Sequence, residues 1–243
     1  MNKFDIDTSS NLEQIVDRQV HSWEVRQKLA REGAKAAPHE LSHLKEGPWI
    51  TLSHQPGSGG AELARMLSKK LGWQVWDKEI ITAIAHNDPA REKMLSLLDG
   101  HAVGALQEFL TTVMVRGTVS RNGFAHELAQ VIWTLARQGR AILIGRGANW
   151  LLDSRHGLRV RTMAPRDLRA RRVARERNID LSLAEETVRS EDGQFAGFIR
   201  QLYHKDINDP LGYDLVLNLG ELDVDVAAEM VVTAVRRKLG GPA

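Results

Sequence analysis

Trp49 to Asp77 reads WITLSHQPGSGGAELARMLSKKLGWQVWD, and this stretch decides the fold. Trp49 to Leu52 is an apolar strand, Gly57-Ser58-Gly59-Gly60 a tight turn, and roughly Ala61 to Leu71 a helix that Gly72 stops. A second short strand then ends at Trp76. Strand, glycine loop and helix in that order are the grammar of a phosphate-binding α/β protein. Glycine lets the main chain approach an anion and take positive φ, so that successive N–H groups point at phosphate oxygens. The helix start adds a partial positive charge.

Against the pattern G-x-x-x-x-G-K-[ST], with Gly59 as the last glycine, His54 stands at the first glycine and Gly60 at the lysine, followed by Ala61 and Glu62. Neither a cation nor a hydroxyl metal ligand remains at the end of the loop. Taken alone, GSGG at a strand-to-helix junction also suits a plain structural turn.

Upstream, Ser10-Asn-Leu-Glu13 is a capping box, and Leu12, Ile15, Val16, Val20 and Trp23 recur at helical spacing, so residues 10–33 are predicted to be helical. This arm packs either on its own domain or on a second subunit as a homodimer contact. Residues 34–48 form a linker; His39 and His43 within it have metal-ligand spacing but no third ligand. Residues 1–47 are thus an arm and linker, and 48–243 the main domain.

Downstream, Asp77-Lys78-Glu79 opens a short helix, and Asp88-Pro89 caps and starts another. Helical patterning then continues to Gly139, an insertion over about 88–138, with Phe124, Leu128, Val131, Ile132 and Leu135 on one face of its last helix. Arg140 to Ile144 is a short apolar strand that ends in Gly145-Arg146-Gly147. That order puts a cation at the carboxyl end of a strand, where open α/β sheets bind ligands. Leu158 to Ala164 is a further strand, and Pro165 starts an arginine-rich helix. Ser182-Leu-Ala-Glu185 caps a helical region that reaches about His204. Asp209-Pro210-Leu211 is a turn and Tyr213 to Leu217 the last strand. Val226, Met230, Val231, Ala234 and Val235 form the face of the closing helix.

The composition is that of a globular protein: 243 residues, 42% hydrophobic, 26% charged. With no cysteine, disulfides and thiolate metal sites are excluded. There is no apolar run of transmembrane length and no signal-like start, so a cytoplasmic protein without membrane contact is expected. A net charge of +2 and the lack of an aromatic stacking platform argue against nucleic acid as a partner for the Arg159 to Arg177 cluster.

Four pieces in order, SHQPGSGGAELARMLSKKLG with VWDKEII, AILIGRGANWLL, LRVRTMAPRDLRARR, and SED with FIRQLYHKDINDPLGYDLVLN, resemble the cytidylate kinase-like family of P-loop proteins. The resemblance implies a three-layer α/β fold: a mostly parallel five-stranded sheet, helices on both faces, a helical insertion, and a lid over about 178–209. It implies phosphoryl transfer from ATP to a small phosphorylated acceptor such as cytidine monophosphate, with Mg²⁺. Gln55, Gly57, Ser58, Gly59, Gly60, Arg171, Arg175 and Arg189 would then face the triphosphate, and Asp77, Lys78 and Arg146 the acceptor. Arg146, Arg172 and Asp192 would serve the reacting phosphates.

Two of these have simpler roles beside the functional ones. Asp77 also suits a helix cap, and Glu62, a metal candidate with Asp77 and Asp192, also suits a helix dipole. Family members commonly carry a cation directly after the loop glycines, Arg-Asp at the third strand's end and Asp-x-x-Arg in the lid. This chain has Ala61, Arg146-Gly147 and Phe195 instead. Because phosphoryl transfer is mostly positioning and charge neutralisation, a catalytically weak nucleotide-binding sensor is the alternative, with Lys78 or Arg65 as substitute cations.

Overall fold

The computed structural model describes residues 14–22, 24–25, 48–115, 117–119 and 123–240. Strand β1 (Trp49–His54) leads through the glycine loop into α1 (Gly60–Leu71), and β2 (Gln74–Trp76) follows. Helices α2 (Lys78–His86), α3 (Asp88–Ser96), α4 (Gly100–Val115) and α5 (Gly123–Gln138) separate β2 from β3 (Ala141–Ile144). After the short α6 (Ala148–Leu151) come β4 (Gly157–Met163), α7 (Arg166–Arg177) and the long α8 (Leu181–Tyr203). Strand β5 (Leu215–Asn218) and α9 (Val224–Leu239) close the chain.

The strands lie in the order β2-β3-β1-β4-β5, and every pairing is parallel, so the expectation of a mostly parallel sheet becomes an all-parallel one. Both faces are covered, which the side-chain alternation of the central strands requires. Ile50, Leu52, Ile142 and Ile144 point to one side, against Leu63 and Leu67 of α1 and Val231 and Val235 of α9. Trp49, Ala141 and Leu143 point to the other, against Ile81 and Ile84 of α2 and Leu128, Ile132 and Leu135 of α5. The result is a three-layer α/β P-loop fold.

Several boundaries differ from the sequence expectation, each for a local reason. Asn87 rather than Asp88 caps α3, its side chain accepting from the Ala90 amide at 2.9 Å. Asp180 rather than Ser182 caps α8, accepting from Leu183 at 3.0 Å. Strand β5 starts at Leu215 because the Tyr213 ring is turned into the core, where its hydroxyl meets Arg161 and Ile207. In α9 the buried face runs through Ala227, Ala228, Val231, Val232, Val235 and Leu239, leaving Val226 and Met230 exposed.

Of the N-terminal arm, residues 14–22 and 24–25 are helical. Val16 and Val20 join the core of the same chain, and Gln74 Nε2 donates to Gln19 Oε1 at 3.3 Å. The rest of the expected 10–33 helix, including Trp23, and His39 and His43 lie outside the described residues.

Candidate active site

The loop from Gln55 to Gly60 crosses the carboxyl edge of the sheet, tied down from several sides. The Gln55 amide donates to the Thr162 carbonyl at 3.2 Å, and its side-chain oxygen accepts from the Ala164 amide at 3.3 Å. Ser58 is fully buried, its hydroxyl 2.9 Å from that of Thr162, so it braces the loop instead of facing the cavity. Gly57 (φ 71°) presses on α7: a Cβ there would stand 2.5 Å from the Arg169 carbonyl oxygen. Gly59 (φ 90°) caps α1 without a side-chain bond. Among the described residues the amides of Gly59, Gly60, Ala61 and Glu62 find no acceptor, which is the open amide end of a helix that an anion fits.

Each departure from the loop, strand-end and lid patterns is filled by a neighbour. At Gly60 a Cβ would meet His54 Cβ at 2.4 Å and Thr162 Oγ1 at 2.8 Å, so no lysine could start from this position. The His54 side chain, standing where the first glycine belongs, has taken the room. At Gly147 (φ 70°) the Tyr203 ring lies 2.1 Å from where a Cβ would be, which leaves no place for an aspartate. The Tyr203 hydroxyl donates to the Arg146 carbonyl at 2.5 Å, holding the turn, and burial pushes its pKa up. Phe195 receives Lys78, whose ammonium sits 4.5 Å from the ring centroid.

Two cavities meet here. One, of about 220 Å³, runs along the loop and is bordered by Gly57, Gly59, Gly60, Arg65 and Arg172. A smaller one, about 50 Å³, lies against Ile144, Arg146, Phe198 and Tyr213. His54, Lys78 and Phe195 border both. Arg146 adopts φ 54° and donates from Nε to the Lys78 carbonyl at 3.2 Å, its guanidinium 5.2 Å from the Phe198 ring centroid. Burial lowers its pKa from the usual arginine value. Arg172 reaches the loop with Nη1 3.4 Å from the Gly57 carbonyl and Nη2 3.0 Å from that of Leu219.

The remaining sequence candidates fall elsewhere. Asp77 caps α2, accepting from Ile80 at 2.9 Å, and burial raises its pKa. Asp192 is held in a two-bond pair by Arg169, at 3.0 and 2.8 Å. Arg171, Arg175 and Arg189 are exposed and border neither cavity. Around them the arginine cluster breaks up, since Arg159 pairs with Asp214 and Arg177 with Glu191.

Sequence reasoning missed the roles of Arg161 and Arg169. Arg169 is 3% exposed and joins the Ala164 and Pro56 carbonyls to Asp192. Arg161, 5% exposed, donates only to neutral oxygens: Ser53 Oγ at 3.1 Å, Tyr213 Oη at 3.2 Å and Asn208 Oδ1 at 3.2 Å. The available signals were an arginine breaking an otherwise buried strand, and an arginine in register with Ala170 and Val173 on α7.

No cluster of three His, Cys, Asp or Glu able to hold a metal occurs among the described residues. Glu62 and Glu176 border the loop cavity without an ion pair there, a donor set that fits Mg²⁺ held jointly with phosphate oxygens and water. None of the described helices is long and apolar enough to cross a membrane.

A model described as the cytidylate kinase-like family matches residues 49–221. The cytidylate kinase of Methanothrix thermoacetophila is 30% identical over 189 residues, covering 77% of this chain and 97% of its own. That of Methanocaldococcus jannaschii is 24% identical over 189 residues, covering 76% and 96%. The crystal structure of an uncharacterized protein from Eubacterium ventriosum shares the fold, with a TM-score of 0.59 at 17% identity over 78% of this chain and 98% of its own. With most of its length matched and the loop, strand ends and long α8 in place, the chain belongs to the cytidylate kinase-like family.

Proposed function

We propose that this protein transfers the γ-phosphoryl group of ATP to a nucleoside monophosphate of the cytidylate class. The observation that carries the reading is the pair of adjoining cavities. Unpaired loop amides and Arg172 border one, Arg146 the other, and Lys78 both. Donor polyphosphate fits the loop side and acceptor phosphate the Arg146 side, so the group in transit passes Lys78. Mg²⁺, when bound, neutralises phosphate charge, with Glu62 or Glu176 as protein ligands. Helix α8 serves as the lid, placing Phe195 and Phe198 over the smaller cavity to exclude water.

A second reading is favoured by one observation: neither the loop nor the lid carries its usual cation, so the protein binds nucleotide as a sensor with little turnover. Coupled assays with Mg·ATP across the common monophosphates separate the two. Turnover with CMP supports the kinase; tight ATP binding with flat rates supports the sensor; absence of both removes each.

A further inference from the structure

The slot behind the glycine turn is not vacant but exchanged. The residue after Gly59 can carry no side chain because His54 Cβ and Thr162 Oγ1 stand where its Cβ would be. The group that has moved in is titratable and borders both cavities. Its Nδ1 lies 3.2 Å from the Gln55 carbonyl oxygen, which can only accept, so the neutral ring carries its proton on Nδ1. That leaves Nε2 as a lone-pair acceptor with no partner among the described residues. A phosphate oxygen is also an acceptor, and the two would repel unless the ring gains a second proton.

We propose that His54 takes the place of the missing loop lysine: it becomes doubly protonated when a nucleotide polyphosphate enters and donates from Nε2 to a phosphate oxygen. The assignment rests on reading the loop as a polyphosphate site. Before ligand arrives, burial depresses the ring's pKa, and Lys78 on α2, Arg65 on α1 and Arg172 and Arg177 on α7 add positive charge on the same cavity, as Arg146 does on the adjoining one. The Gln55 carbonyl, Glu79 on α2 and Glu191 on α8 act in the opposite sense, and Glu62 on α1 and Glu176 on α7 border the cavity as well. The empty site thus holds a neutral histidine, and the polyanion supplies the charge that favours the cation. Lysine would be charged throughout; histidine makes binding proton-linked.

The test is calorimetric titration of the full chain with ATP between pH 6 and pH 8, in two buffers of different ionisation enthalpy, for wild type, His54→Gln and His54→Lys, with melting curves to confirm folding. Wild type should take up a proton on binding and lose up to roughly tenfold in affinity per pH unit above the histidine range. His54→Gln should bind weakly at every pH without proton uptake, and His54→Lys should restore binding at the alkaline end. An unchanged pH slope and proton uptake in His54→Gln overturns the assignment while leaving the nucleotide reading intact. Failure of wild type to bind ATP at any pH overturns both.

Discussion

At the scale of single residues, His54 and Gly60 form one unit, and each constrains what the other can be. Gly60→Ala must displace His54 or Thr162, both held by β-strand backbone, so we expect a loss of about 1–3 kcal/mol in urea unfolding, as for overpacked cores. The same histidine gives a pH signature without ligand. Its folded pKa lies below the ordinary 6.5, so the unfolded chain takes up the proton first as pH falls. Its stabilising contribution is therefore complete above 6.5 and is lost as pH drops through the depressed folded value. The urea midpoint should fall on that side in wild type and fall less in His54→Gln. Arg161 is the opposite case, a buried cation on three hydroxyl or amide oxygens, and nothing in its spacing distinguished it from Arg159 two residues earlier, which pairs with Asp214. The two arginines share a side of the strand, and what separates them is the partners at each position: Asp214 for Arg159, and Ser53, Tyr213 and Asn208, brought in from distant segments, for Arg161.

At the scale of elements, α8 is held to the loop through Arg169. Replacing Asp192 with Asn leaves a buried guanidinium short of its charge partner, and we expect about 2–3 kcal/mol of destabilisation. That is below the roughly 3–5 kcal/mol of a fully buried pair because the carboxylate is 28% exposed. Hydrogen exchange should show the lost protection concentrated in α8 and the Pro56–Gly57 turn. Lys78→Ala, by contrast, leaves only the exposed Glu79 unpaired, so it should lower kcat strongly with little change in melting temperature. The elements were readable because helices and strands announce their period and their stops, as Gly72 and Gly139 do. The caps were less so: Asn87 and Asp88, or Asp180 and Ser182, lie one or two residues apart and have similar capping chemistry, and only the path of the preceding chain chooses between them.

For the whole molecule, the all-parallel sheet explains why groups from positions as far apart as Lys78, Arg146 and Arg172 gather at one edge: each follows the carboxyl end of a strand. The family resemblance put Arg146 and Lys78 together on the acceptor side, and the pairing of β2 with β3 makes the strand ends that carry them neighbours. The resemblance was not enough to sort the arginines of α7, of which Arg172 turns inward while Arg171 and Arg175 face solvent. A nucleotide that occupies this edge should stabilise the native chain by about 2.7 kcal/mol at a hundredfold excess over its Kd, read as a rise in melting temperature. Arg169 gives that stabilisation a further property. A single guanidinium holds both the turn that would carry one substrate and the helix that would cover the other, and this link gives the two a shared support. Two substrates bound there are expected to sharpen each other's affinity, and thermodynamic symmetry makes the factor the same whichever arrives first.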